Sequence, residues 1–225
     1  MKTEIIKRLI TSFFLVSLLC AVFIYSYILI ISLIIISIIS LIEFLGLISK
    51  IFTKKKIKTK LLIKALCLIY LTVFSVLTFN GISDVNFKLN MIYLFAICIC
   101  SDVGGLIFGR IFKGKKLTKI SPKKTISGSV GSFILSLILV PFFYFISNFL
   151  YQDPYNIFML IIVSMIVSLS CQLGDLFISL LKRKAKVKDT GDLLPGHGGV
   201  LDRIDGILFA IPIGYLIFKF LIISI

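Results

Sequence analysis

Apolar residues run in blocks of about twenty along most of this chain, separated by short segments where lysine, arginine, aspartate and glycine concentrate. Wound as a helix at about 1.5 Å per residue, such a block spans the roughly 30 Å hydrocarbon core of a bilayer. The pattern predicts seven helices, at about 9 to 25, 27 to 48, 61 to 79, 90 to 109, 126 to 149, 157 to 181 and 204 to 224. The expected fold is all-α, a single polytopic membrane domain over residues 1 to 225. Spans from about 9 to 79 act as scaffold, and residues from about 90 to 225 carry the chemistry. The run from Leu9 almost to Ile48 has no clear small-residue cleavage site, so it reads as two mature spans rather than a signal peptide. No attached soluble domain and no internal repeat is expected.

Composition strengthens this reading, because 59% hydrophobic residues and a mean hydropathy of +1.11 exceed what a soluble core needs. Charge adds an orientation. Of 25 basic residues, 22 fall in four segments: the N-terminus (Lys2, Lys7, Arg8), 50 to 60, 110 to 124 and 182 to 203. The opposite side receives little more than Lys88 and Lys219, so the positive-inside rule places the four segments and the N-terminus in the cytoplasm. Much of the net charge of +15 is then a topology determinant that also meets anionic lipid headgroups, at about 1 kcal/mol per residue near the surface. It does not indicate nucleic acid. Cys20, Cys67, Cys98, Cys100 and Cys171 lie inside predicted spans without zinc-site spacing and read as buried small hydrophobes. The β-branched run from 28 to 40 reads as lipid-facing filler, and Glu43 as a snorkelling side chain or the partner of a neighbouring lysine.

Three aspartates turn the picture toward chemistry. Asp102 and Asp175 lie about seven residues before the ends of the fourth and sixth helices, and Asp202 opens the seventh. Helical rise puts the first two about 10 Å below their helix ends, where an unpaired carboxylate costs up to about 3 kcal/mol. A cation is required, supplied either by Lys or Arg within the bundle or by a metal; the three aspartates taken together favour the metal. Asp175, Ser179 and Lys182 are spaced i, i+4 and i+7 on one helix face, a carboxylate deep, a hydroxyl midway and an ammonium at the mouth, an order that suits a metal-bound phosphate.

The segment from 179 to 206 then gathers Lys, Arg, Asp, His and Gly between two apolar runs. Asp202, Arg203 and Asp205 sit where a helix start favours anions, and Pro195, Gly196, Gly198 and Gly199 permit a tight turn with close backbone approach. His197, the one histidine, is placed to donate to a phosphate or a leaving pyrophosphate. A second basic segment, 109 to 132, ends in Ser127, Gly128, Ser129, Gly131 and Ser132. It fits a triphosphate-holding loop or a plain solvated positive-inside loop, and no GxxxxGK[ST] string occurs in it. Gly105 and Gly109 form a GxxxG that reads as a close helix contact.

These residues resemble the phosphatidate cytidylyltransferase (CDP-diacylglycerol synthase) family. Its signature, Ser before Lys-Arg, then Lys-Asp, Gly and Pro-x-His-Gly-Gly-x-x-Asp-Arg-x-Asp, is matched by Ser179, Lys182, Arg183, Lys188, Asp189, Gly191, Pro195, His197, Gly198, Gly199, Asp202, Arg203 and Asp205. Gln172, Gly174, Asp175 and Leu176 resemble the approach to that signature, and Ser121, Pro122, Lys123, Lys124 and Thr125 its Ser-Pro-Lys-Lys-Thr loop. About a third of the chain is covered.

The resemblance implies attack of a phosphatidate oxygen on the α-phosphorus of CTP, releasing pyrophosphate. It implies catalytic roles for Asp175, Asp202, Lys182, Arg183 and His197. Substrate contacts would come from Asp102, Ser121, Lys123, Lys124, Thr125, Ser179, Lys188, Asp189, Gly198, Gly199, Arg203 and Asp205. Asp175 and Asp202 match metal ligands for Mg²⁺, with K⁺ as a second metal in at least some members. The implied partners are CTP, phosphatidate and membrane lipids in a bacterial-type inner membrane, and Gly-rich helix faces allow a homodimer. The chain departs from the family at Ser127-Gly128, where Glu-Gly is common, and at Gly105-Leu106, where Ala-Tyr often follows the Asp-x-Gly segment. It is also short for the family, which suggests trimmed N-terminal spans. A CTP-dependent enzyme for a polyprenol-type alcohol or archaeal-type lipid would share the headgroup chemistry. An ion-coupled transporter would instead need carboxylates near the midplane and paired broken helices.

Overall fold

The computed structural model describes residues 2–52, 57–118, 121, 124–151, 155–194 and 198–223. Seven helices are found there: α1 (Lys2–Ile24), α2 (Ser26–Ile51), α3 (Ile57–Ser83), α4 (Lys88–Phe112), α5 (Ile126–Tyr151), α6 (Ile157–Lys184) and α7 (Leu201–Ile223). Each coincides with an expected span. Most run several residues past the apolar stretch, because in hydrocarbon every backbone N–H and C=O must be satisfied within its own segment. Five, α2 to α6, are long and apolar enough to cross a membrane, and α1 contributes a shorter apolar stretch, Ile10–Ile24. The chain is a multi-pass membrane protein. Among the described residues the only strand-like pairings are two isolated bridges, Lys116 with Thr125 and Leu194 with Gly198.

The chain folds as two compact units. The first comprises residues 1–83 and 180–204, the second 84–179 and 205–225. In the first, α2 packs on α1 and α3, and the Ser37 and Ser75 hydroxyls meet at 2.7 Å between α2 and α3. The isoleucine-rich run of α2 is filler on one face only. Ile30, Ile31, Ile34, Ile35 and Ile38 are exposed, while Leu29, Leu33, Ser40, Glu43, Leu47 and Ile48 form a buried face.

In the second unit α4 lies along α5 in the most extensive helix pairing among the described residues. Small residues allow it, as the GxxxG reading anticipated: a Cβ on Gly105 would lie 3.0 Å from Ser132 Oγ, and one on Gly109 3.1 Å from Thr125 Oγ1. Ser132 donates to the Ser101 carbonyl at 2.6 Å, and Ser101 meets Ser168 of α6 at 3.0 Å. An aromatic cluster closes the far end of this unit, with Tyr93 stacked on Phe143 at 4.0 Å and Tyr155 edge-on to Phe218 at 5.5 Å. The cysteines divide: Cys98 and Cys171 are buried as expected, whereas Cys20 is exposed and Cys67 and Cys100 are intermediate. A small apolar side chain on a helix that faces lipid meets no penalty for exposure, so burial was not required of them.

Candidate active site

In the first unit the site is built around Asp202, in the first turn of α7. α6 ends at Lys184; two residues on, Lys186 with a φ of 56° turns the backbone away, and Val187 N–H returns to the Lys182 carbonyl at 3.0 Å. The loop that follows folds back through the Leu194–Gly198 bridge. Gly198 has a φ of 82°, a conformation that costs an L-residue roughly 1–2 kcal/mol. The chain then reaches the head of α7 with its N–H groups directed at carboxylates.

Asp202 Oδ1 accepts from the Lys182 ammonium at 2.6 Å. Its Oδ2 accepts from Thr190 N–H at 2.8 Å, the Thr190 hydroxyl at 2.9 Å and Gly199 N–H at 3.2 Å. The Asp202 side chain is 6% exposed and that of Lys182 16%. Burial opposes ionisation of Asp202, yet the Lys182 ammonium and the Thr190 and Gly199 N–H groups outweigh it and hold the carboxyl below the ordinary aspartate range. The ammonium of Lys182, a residue whose spacing puts it on one helix face with Asp175 and Ser179, rests on Asp202.

Glu43 reaches the same centre from α2. Its Oε1 accepts from Val200 N–H at 2.9 Å. Its Oε2 accepts from Leu201 N–H at 2.9 Å and the Thr190 hydroxyl at 2.7 Å. The sequence reading of Glu43 as a snorkelling or lysine-paired residue is corrected by these contacts: the side chain is buried and occupies the N-terminus of α7, where unpaired amides and the helix dipole favour an anion. One ionisable residue in an otherwise apolar span was the signal that could have marked it. Thr190 carried no such signal, since a threonine beside a turn is commonplace.

In the second unit the centre is Asp175 of α6. Its Oδ2 pairs with the Lys124 ammonium, and its Oδ1 accepts from Ser179 at 3.3 Å, a long contact. The segment leading into α5 is pinned by backbone bonds: Leu117 N–H to the Lys124 carbonyl at 2.8 Å, Lys124 N–H to the Ser121 carbonyl at 3.0 Å and Ile126 N–H to the Lys115 carbonyl at 2.9 Å. Thr125 Oγ1 accepts from Gly128 N–H at 3.1 Å and so caps α5. Ser127, standing where the resembled family has a carboxylate, accepts from Gly114 N–H at 3.2 Å. Asp102 Oδ1 accepts from the Cys171 thiol at 3.7 Å. Asp205 Oδ1 accepts from Gly206 N–H at 2.8 Å, and Ser129 donates to Gln172 between α5 and α6.

The structure thus joins Lys182, Asp202 and Gly199 in one unit and Lys124, Asp175 and Ser179 in the other. Arg183, Lys188, Asp189 and Arg203 are exposed around the segment between α6 and α7. Lys123 and His197 lie outside the described residues.

The carboxylates suit a divalent cation. Each already seats an ammonium, a cation, on one oxygen, and the donors on Asp202 Oδ2 leave Oδ1 as its cation-facing atom. Among the described residues no three or more His, Cys, Asp or Glu side chains group as a metal cage. Mg²⁺ is ordinarily held by one or two carboxylates and substrate phosphates rather than by an all-protein cage.

Residues 2–221 match the model of the cytidylyltransferase family. A phosphatidate cytidylyltransferase of Rickettsia felis is 45% identical over 146 residues, 64% of this chain and 64% of that one. Proteins of the same name from Staphylococcus haemolyticus and Bacillus subtilis are 44% and 39% identical, each match covering 55% of this chain and 46% of theirs. The matched stretch spans less than two thirds of the length of these relatives. With the match running through all seven helices and both lysine–carboxylate centres, the chain belongs to the cytidylyltransferase family.

Proposed function

We propose that this chain transfers the cytidylyl group of CTP to phosphatidate. A phosphatidate phosphate oxygen bonds to the α-phosphorus of CTP, the bond from that phosphorus to the bridging oxygen breaks, and pyrophosphate leaves with the electron pair. The products are CDP-diacylglycerol and pyrophosphate. Membership of the family and the names borne by its relatives support the reaction class. The observation that carries the reading is the Asp202 centre: a carboxylate with a largely buried side chain, oriented by backbone donors, that presents one oxygen to a cation within a segment that gathers Lys, Arg, His and Gly.

Two anionic reactants repel, so catalysis here is alignment and charge neutralisation rather than covalent chemistry by the protein. Asp175 and Asp202 are the proposed carboxylate ligands for Mg²⁺, with K⁺ as a second cation. Bound there, Mg²⁺ would neutralise charge on the triphosphate. Lys124 and Lys182 are the proposed phosphate clamps. Each ammonium rests on a carboxylate and would be free to meet phosphate oxygens were Mg²⁺ held by that carboxylate. Arg183, Arg203, Lys123 and Lys188 add charge around the phosphates, and His197 protonates the departing pyrophosphate. Asp102, Ser121, Thr125, Ser179, Asp189, Gly198, Gly199 and Asp205 complete the proposed substrate contacts. The four basic segments face the cytoplasm, where CTP is found, and the bilayer is a bacterial-type inner membrane.

The test is turnover by purified, detergent-solubilised protein given phosphatidate, Mg²⁺ and each labelled nucleotide in turn, with Asp202→Ala as control. Metal-dependent, CTP-selective CDP-diacylglycerol and pyrophosphate, lost in the control, are the expected result. CTP consumption only with a polyprenol-type or archaeal-type lipid acceptor would reject phosphatidate as the acceptor.

A further inference from the structure

We propose that Glu43 is a positioning residue for Asp202: it acts through Thr190 and the head of α7 and touches no reacting atom. Its catalytic consequence rests on the cytidylyltransfer reading, whereas the arrangement itself rests on contacts within one unit.

Glu43 is 8% exposed, and a carboxylate so placed is costly unless hydrogen-bonded. The N–H groups of Val200 and Leu201 meet that cost at 2.9 Å each. Leu201 is the first residue of α7 and Val200 directly precedes it, so both lie immediately before Asp202. The second link is Thr190, whose hydroxyl lies 2.7 Å from Glu43 Oε2 and 2.9 Å from Asp202 Oδ2. That hydroxyl has a single proton and two carboxylate neighbours, so the position of one carboxylate sets the electrostatic environment of the other.

The loop is shaped around this carboxylate. A Cβ on Gly191 would lie 2.8 Å from Glu43 Oε1, and one on Gly199 would run into both Thr190 Oγ1 and Glu43 Oε2. Glycine at these positions therefore makes room for a side chain from α2, in addition to any approach to phosphate. Glu43 thus joins three segments, α2, the turn at 190–191 and the start of α7, and through them fixes the oxygen of Asp202 that faces away from Lys182. This is the relation in which an outer hydrogen-bonding partner orients a metal-binding carboxylate, and losing such a partner typically lowers metal affinity or activity about 10- to 100-fold.

Two variants of the full chain in detergent, Glu43→Gln and Thr190→Val, test this by amide hydrogen exchange over residues 187–203 and by the Mg²⁺ concentration giving half-maximal cytidylyltransfer. Thr190→Val keeps the shape of the side chain and the cap on α7 while deleting the link. Its expected result is a Mg²⁺ requirement raised about ten-fold, an unchanged KM for phosphatidate and a wild-type melting temperature. Glu43→Gln is expected to raise the Mg²⁺ requirement similarly and to speed exchange at Val200 and Leu201.

A wild-type Mg²⁺ requirement in the folded fraction of both variants would overturn the proposal and leave Glu43 as a structural staple. Should Glu43→Gln fail to fold, Thr190→Val decides alone. Should wild-type protein make no CDP-diacylglycerol, the reaction assignment fails by itself. Exchange at 198–203 in Thr190→Val then decides positioning: faster exchange supports it and unchanged exchange overturns it.

Discussion

The carboxylate of Asp202 is held by backbone donors as well as by an ammonium, whereas the described contacts of Asp175 are to two side chains, Lys124 and Ser179. Exposure follows the same division, 6% for the Asp202 side chain and 32% for Asp175. A carboxylate fixed by main-chain N–H groups keeps its orientation when its cation changes, because its donors move only if the fold moves. One held by flexible side chains reorients with its partner. The two aspartates therefore combine a rigid acceptor with a compliant one, and substitution should separate them in stability even where both abolish turnover.

The largest difference is expected from Asp202→Asn set beside Asp175→Asn. The first turns an amide toward donors and leaves the largely buried Lys182 ammonium without its partner. Breaking a buried pair from one side costs roughly 3–5 kcal/mol, and thermal unfolding in detergent should drop accordingly. Asp175→Asn breaks a pair that is about a quarter to a third exposed, with an expected cost under about 1 kcal/mol. Equal losses of melting temperature would erase the distinction between the two centres.

An intermediate effect is expected at Gly198. Its φ of 82°, together with the mere 3.1 Å that would separate an added Cβ from Asp202 Oδ2, predicts that Gly198→Ala costs roughly 1–2 kcal/mol in backbone strain. It should also lower kcat through displacement of Asp202, measured as the kcat against KM split for CTP. Unchanged kcat would show that the rigidity of this centre does not depend on the turn.

The smallest effect belongs to Ser179. Its hydroxyl contacts Asp175 at 3.3 Å, longer than a strong O–H···O bond. Ser179→Ala should therefore change stability by less than about 0.5 kcal/mol. Turnover unchanged within about three-fold would remove Ser179 from the proposed substrate contacts, whereas a loss beyond ten-fold would sharpen the contrast by giving the compliant centre a direct phosphate contact.

Particular residues show where the sequence could be read and where it could not. The helices were legible because each follows from its own apolar run, and Asp175 and Asp202 stood out as carboxylates beside those runs. Helical spacing put Lys182 on a face with Asp175 and Ser179 but could not name its ion-pair partner, because it is the turn at Lys186 that brings Asp202 within reach. Thr190 gave no signal at all, and Glu43 was visible but read as a snorkelling or lysine-paired side chain.

From sequence alone came the polytopic helical architecture, the four basic segments and the charged stretch from 179 to 206. Each is set by local hydropathy and charge, since a backbone in hydrocarbon has helix as its self-sufficient solution. Tertiary structure alone decided that Lys124 meets Asp175, that Lys182 meets Asp202 and that a carboxylate from α2 caps α7. Lys124 and Glu43 lie far from their partners along the chain, and hydrogen bonds reaching about 3 Å leave no trace in a periodicity of four residues.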